Sequence, residues 1–157
     1  MRQLGRGLYA SVDFDPDQNI SLLEASRSVP HGVVCLGSAL QFHQIGTQSP
    51  RQVWLAVPRG VNFPTANARC RFCKFSEKTY SHGIEKHALA GGAMRVYSPA
   101  KTVADCFKYR NKYGLDTAVE ALREGWRGKR FSLKELLEAA EICRVRKVMQ
   151  PYIEMLA

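Results

Sequence analysis

Residues 70–87 carry the pattern Cys70-x2-Cys73-x8-His82-x4-His87. Two thiols and two imidazoles at those inner spacings are the donor set of a tetrahedral zinc site. The gap between the two pairs is shorter than in the usual zinc finger, and no turn-forming glycine separates the cysteines. Basic and apolar residues alternate from Arg69 to Phe75, which predicts a strand. His82 precedes Gly83 in a loop, and His87 falls in another predicted strand. Buried thiols and ordinary surface histidines are therefore expected here, and no metal.

Carboxylates give no better case for catalysis. Metal-dependent cleavage of nucleic acid needs clustered acids, commonly an Asp followed at a distance by Glu-x-Lys. Glu77 directly precedes Lys78 and Glu85 directly precedes Lys86, so neither has that spacing. The acids of D-F-D-P-D (Asp13 to Asp17) fall in a predicted loop ahead of the core. No glycine-rich phosphate loop, Gly-x-Ser-x-Gly elbow or Cys/His nucleophile pattern is present. The expectation is a protein without enzymatic activity and without a cofactor.

Asp105 is unusual in its company. It sits in the apolar run Val103, Ala104, Cys106, Phe107, where a carboxylate needs a partner to be buried. Lys101 at i−4 and Tyr109 at i+4 share its helical face, with Arg110 close by. One reading is a structural ion pair or hydrogen bond that orients the helix. The other is a contact in a partner or dimer interface.

The remaining chemistry is cationic. The chain carries a formal charge of +9, with a pI near 9.6. The first thirty residues hold three basic and four acidic groups; residues 31–99 hold eight against two, and 100–157 twelve against eight. The basic groups gather at turns: K-Y-R-N-K (108–112), R-G-K-R (127–130) and R-V-R-K (144–147). Such an excess attracts phosphate backbones or an acidic protein, and cations at helix C-termini also neutralise the helix dipole. Candidate contacts are Arg69, Arg71, Lys108, Arg110, Lys112, Arg127, Lys129, Arg130, Arg144, Arg146 and Lys147. Phe72, Phe75 and Tyr80 lie among Arg69, Arg71, Lys74 and Lys78, a mixture that can stack bases. Strand alternation sends Cys70 and Phe72 to one side and the two arginines to the other. Phe72 then belongs to the core, and the arginines form a positive sheet face.

The elements that must position these groups are legible in outline. Leu8-Tyr9-Ala10 predicts a strand, Ile20 to Arg27 a short helix, and the run from Val33 to His43 a buried helix despite Gly37. Gln52 to Val57 and Arg69 to Phe75 predict strands, and Gly91-Gly92 joins Ile84–Leu89 to Ala93–Tyr97 in a hairpin. Ser98 is an N-cap with Pro99 at the first helical position, and the helix runs through Lys108, Arg110 and Lys112 to Gly114. Leu115, Ala118, Val119, Leu122 and Trp126 form one apolar stripe. Ser132 and Glu135 make a capping box, with Phe131 and Leu136 at hydrophobic-staple spacing. Leu133, Leu136, Leu137, Ala140 and Cys143 form the next buried face, and a short helix containing Pro151 spans Val148 to Leu156. Strands in the middle and helices at the end predict an α+β fold: a small mixed or antiparallel sheet packed with helices, its C-terminal third all helical.

At 157 residues and 45% hydrophobic content, the chain can bury one core without disulfides. No run approaches the roughly 18 to 20 apolar residues of a membrane span, and the N-terminus lacks the layout of a secretion signal. Five dispersed cysteines suit reduced thiols. A soluble, cytoplasmic protein is expected.

The run S-P-A-K-T-V-A-D-C-F-K-Y-R-N-K (98–112) resembles the signature of AbiEi-type antitoxins, the transcriptional regulators of abortive-infection (type IV) toxin–antitoxin systems. R-G-L-Y-A (6–10), V-P-H-G-V-V-C-L-G-S-A-L-Q-F-H (29–43) and C-R-V-R-K-V-M-Q-P-Y-I-E (143–154) agree with that family's layout in the right order. The resemblance makes Ser98, Pro99, Lys101, Thr102, Asp105 and Phe107 the family motif. It implies that residues 1–12 are the last wing strand of a winged helix-turn-helix whose DNA-reading helix has no counterpart here, and that 13–157 form the antitoxin domain. It further implies a non-enzymatic antitoxin that counteracts a nucleotidyltransferase-type toxin and contributes to autoregulation. Its partners would be operator or nonspecific DNA, the toxin functionally rather than in a tight complex, and a second copy of the chain. The competing reading is a stand-alone basic nucleic-acid-binding module with no toxin partner.

Overall fold

The computed structural model describes residues 2–5, 8–10, 16–60, 70–89 and 92–156. An antiparallel pair, β1 (Arg2–Gly5) and β2 (Leu8–Ala10), comes first, followed by α1 (Pro16–Ser28). Next come β3 (Val33–Val34), α2 (Leu36–His43), β4 (Val53–Pro58), β5 (Cys70–Phe75), α3 (Glu77–Ser81), β6 (Ile84–Leu89) and β7 (Gly92–Tyr97). The last third is helical: α4 (Pro99–Lys108), α5 (Arg110–Tyr113), α6 (Leu115–Arg127), α7 (Leu133–Ile142) and α8 (Arg146–Glu154). This is the α+β architecture that the pattern of elements predicts.

Strands β3 to β7 form one mixed sheet in the order β5-β4-β3-β7-β6. β3 runs antiparallel to β4 and parallel to β7, β4 and β5 are parallel, and β6 and β7 form the expected hairpin. The period-two alternation of strands divides the side chains between two apolar layers. Val33, Ala56, Cys73, Phe75 and Tyr97 pack with α4, α6 and α7. Val34, Leu55, Val57, Cys70, Met94 and Val96 pack with Leu22, Leu23 and Ala25 of α1, and Phe72 is half-buried against that layer. Helix α2 joins both, with Leu36 and Leu40 in the first cluster and Ala39 and Phe42 in the second.

Several expectations need correction. The apolar run 33–43 is not one helix: Val33–Val34 is the central strand, Cys35 is extended, and the helix begins at Leu36. The Cys35 N–H donates to the Trp54 carbonyl at 3.0 Å, a long-range bond that a purely local apolar run does not reveal. The helix after Ser98 breaks at Tyr109 before resuming as α5, although Ser98 caps it and Gly114 ends it as expected. On α6, Leu115 is exposed, and Ala121 and Gly125 join Ala118 and Leu122 in the buried face. On α7, Leu133 is 45% exposed and Ala139 joins Leu136 and Ala140.

Helix α8 starts at Arg146, two positions before Val148 where the sequence pattern placed it, with Pro151 inside. Asp13 and Asp15 lie outside the described residues, whereas Pro16 and Asp17 open α1. The capping box is complete, with Glu135 N–H donating to Ser132 Oγ at 3.1 Å and Ser132 N–H to Glu135 Oε1 at 2.9 Å.

Gly125 is where α6 meets the Phe131 ring. A Cβ there would lie 2.4 Å from Phe131 Cε2 and 2.8 Å from Cζ. The gain in helix propensity from alanine is about 1 kcal/mol, less than the roughly 1–3 kcal/mol typical of overpacking a filled core. Gly125→Ala is therefore expected to lower the urea midpoint despite alanine being the better helix former.

Candidate functional site

The most concentrated polar chemistry in the core is the pair expected at Asp105. Ser98 Oγ accepts from the Lys101 N–H at 3.3 Å, and Pro99 starts the helix without an N–H to satisfy. One turn later the pair closes: Lys101 Nζ lies 2.7 Å from Asp105 Oδ2 and 2.9 Å from Oδ1, with both side chains fully buried. Cys143 Sγ donates to Oδ1 at 3.3 Å from α7. The Lys101 ammonium sits 4.0 Å from the Tyr97 ring centre and 4.8 Å from that of Phe75. Burial pushes the Asp105 carboxyl above its ordinary value, against the pull of Lys101 and the Cys143 thiol. Thr102 and Phe107 are buried too. Asp105 is fully buried and ties α4 to the end of α7 through Cys143, while its partner Lys101 reaches the sheet through Phe75 and Tyr97.

A second buried group surrounds the end of α2. His43 Nε2 bonds the Tyr97 carbonyl at 2.8 Å and is therefore the N–H donor, leaving Nδ1 without a hydrogen-bond partner among the described residues. Burial lowers the His43 pKa to about 4, opposed by the Tyr97 bond and Glu85 and aided by His87 and Arg130. His87, expected at the surface, is instead buried against Phe42, and its Nε2 pairs with Glu85 Oε1 at 2.8 Å.

The cysteine–histidine pattern does not converge. Cys70 packs in the layer of α1 and Cys73 in the opposite layer, both on edge strand β5; His87 is on the other edge strand, β6. Among the described residues no group of three or more His, Cys, Asp or Glu is placed to hold a metal ion. All five thiols are free and buried.

The surface cations divide by what they touch. Arg110 Nη1 donates to the Phe107 carbonyl at 2.9 Å and Arg130 Nη1 to the His43 carbonyl at 2.6 Å, so both serve as helix caps. Lys108 is half-buried and acts on Asp105 and Cys143 through its field. Arg71 lies over the Trp54 ring at 5.4 Å. A hydrogen bond from Cys35 draws the Cys73 thiol below its ordinary value, against the effect of burial and aided by the charges of Lys112 and Arg71; Lys112 itself is exposed on α5. Arg69 lies outside the described residues.

Arg144, Arg146 and Lys147 share a depression of about 520 Å³ with Glu141 and Gln150, where α7 turns into α8. Arg146 pairs with Glu141 at 2.8 Å. Arg144 is left-handed, φ +57, with its N–H on Glu141 O at 3.1 Å and that of Val145 on Ala140 O at 2.9 Å. These are the two bonds of a Schellman ending. Lys129, φ +53, ends α6 the same way, through bonds to Trp126 O and from Arg130 to Gly125 O. Arg127 is exposed, with Glu124 Oε1 at 3.9 Å. Absent from the sequence-based candidates is Arg123, which lines a hollow with Trp126, Arg127 and Tyr152. Its i, i+4 spacing from Arg127 was the available signal; Tyr152 had none.

The profile of the AbiEi antitoxin C-terminal domain matches residues 32–150, from just before β3 into α8. The chain belongs to the AbiEi antitoxin family. No curated protein gives a significant match. The match includes the sheet, the motif helix α4 and the packed helices α6 and α7, so the AbiEi span coincides with the layer built around Lys101 and Asp105. An antitoxin role in a toxin–antitoxin system is the general function this membership carries. No helix of the described residues is long and apolar enough to cross a membrane.

Two outcomes are expected. Asp105→Asn or Lys101→Met leaves the other charge buried and uncompensated, a loss of about 3–5 kcal/mol that approaches the whole stability of a domain this size. Lys101→Met with Asp105→Leu should recover most of it in a denaturation cycle. For His43 the folded pKa of about 4 lies below the ordinary 6.5, so the unfolded chain binds the extra proton between those values. Stability is therefore full above pH 6.5 and falls as pH drops toward 4. The loss between pH 7 and pH 5 is about 2 kcal/mol, and His43→Leu should flatten that slope in urea titrations.

Proposed function

We propose that this domain is a non-enzymatic antitoxin of the type IV kind, opposing a nucleotidyltransferase-type toxin and adding cationic contacts to DNA in autoregulation. The observation that carries this reading is a division of labour. The family motif on α4 is folded into the core, while Arg144, Arg146 and Lys147 are gathered at one exposed turn. The core motif holds the domain together and the cationic turn meets the partner. Phosphate contacts of this kind give a binding energy that falls with salt, and the same charges would steer an acidic protein surface.

The test is growth rescue in cells expressing the nucleotidyltransferase-type toxin of the neighbouring gene, with this chain supplied in trans. Rescue supports the antitoxin reading. Failure to rescue, in cells where the folded chain accumulates, supports the stand-alone nucleic-acid-binding module instead. Charge reversal belongs at Arg144 and Lys147 rather than at 108–112, because Arg110 caps α4 and its loss would confound folding. Arg144→Glu with Lys147→Glu is expected to abolish rescue or weaken DNA binding. It should also reduce the salt slope by about 2 if both residues meet phosphates, while the melting temperature stays close to that of the parent. Unchanged rescue and binding would remove this turn from the mechanism.

A further inference from the structure

The hollow between α6 and α8 is unused by the reading above. It has a volume of about 190 Å³ and is lined by Val119, Leu122, Arg123, Trp126, Arg127 and Tyr152, among others. Leu122 is fully buried beneath it, and the two aromatic residues are half-buried. Trp126 packs on Phe131 at 6.5 Å between ring centres and Tyr152 on Phe107 at 5.7 Å, and both still contribute to the lining. Neither the Trp126 indole N–H nor the Tyr152 hydroxyl has a hydrogen-bond partner among the described residues. Arg123 makes no salt bridge among those residues, and Arg127 has only Glu124 at 3.9 Å. At i and i+4, the two guanidinium groups sit on one side of α6.

We propose that this hollow binds one nucleotide unit, its base against Trp126 and Tyr152 and its phosphate on Arg123 and Arg127. The volume lies below the roughly 300 Å³ at which drug-sized pockets begin, which suits a single ring system. Aromatic side chains beside cations are the combination by which single strands are held without regard to sequence. Duplex DNA keeps its bases stacked, so it would use the arginines alone. The site stands on α6 and α8 and does not depend on the toxin assignment.

The unit can come from a free nucleotide or from an unpaired strand, and the experiment separates them. Trp54→Phe leaves Trp126 as the sole tryptophan. That variant is titrated at low salt with thymidine monophosphate, with a short oligothymidylate and with a duplex of the same length. Saturable quenching of Trp126 by the monophosphate or by the oligothymidylate is expected. Quenching by the monophosphate identifies the free nucleotide as a ligand, and quenching by the oligomer alone identifies the strand. In Arg123→Gln with Arg127→Gln, the dissociation constant for the quenching ligand should rise about tenfold. For the oligomer, the salt slope should also fall by about 0.7, the value for the one phosphate contact that the two arginines share. No quenching, quenching equally strong with duplex, or quenching indifferent to the arginine changes would overturn the proposal. Should Trp54→Phe not fold, anisotropy of labelled oligothymidylate and competition by the monophosphate, on the parent chain and the double arginine variant, read the same contrast. Equal affinities there would overturn it too.

Discussion

A fully buried ion pair sets the terms for the rest of the fold. Lys101 and Asp105 lie one turn apart on α4 with no exposure at all, and interior charges are tolerated only when every other contact around them is made. Those contacts come from separate parts of the chain: the ring faces of Phe75 on β5 and Tyr97 on β7, and the thiol of Cys143 at the end of α7. Gly83 is bound into the same arrangement. Its carbonyl accepts the Ser98 N–H at 2.7 Å, and a Cβ there would stand 2.8 Å from Lys101 Cβ. Sheet, α4 and α7 must therefore be docked together before the pair is satisfied, which ties the strand-rich middle of the chain to its helical end.

Perturbed, buried ionisable groups are a common mark of active sites, and Asp105 beside Cys143 and Lys101 has the ingredients. The geometry assigns them another role. No solvent reaches either charge: the lysine and the Cys143 thiol hold the carboxylate, and two aromatic rings face the ammonium. A motif buried in this way supports the structure, and the exposed cations lie at the helix ends that it holds in place.

How much of this the sequence displays depends on how far each interaction reaches along the chain. The Ser98 and Ser132 caps, the Gly114 stop and the period of α6 are contacts of a few residues, and each is visible in the string of letters. Lys101–Asp105 is visible for the same reason, as an i, i+4 pair. The division of 33–43 into strand and helix depends on Trp54 and on β7, and the exposure of Leu133 on how α7 lies against its neighbours. Arg130 looks like one more cation in R-G-K-R, yet its acceptor is the His43 carbonyl 87 positions away. The cysteine–histidine spacing misleads in the opposite direction, because a sheet stands between residues that sequence places close together.

Lys129 and Arg144 show where stability stops explaining residue choice. Each occupies the left-handed position of a Schellman ending, where glycine is the usual residue. A side chain there costs on the order of 1 kcal/mol, while a cation at a helix C-terminus gains about 0.3–1 kcal/mol from the dipole. The two effects nearly cancel, so folding is almost indifferent between glycine and a cation at these turns. What glycine cannot supply is the charge itself, held on a backbone fixed by two hydrogen bonds at the edge of the helical layer. For a domain whose most concentrated polar chemistry is sealed in the core, such rigid, exposed cations are what it can present to a partner.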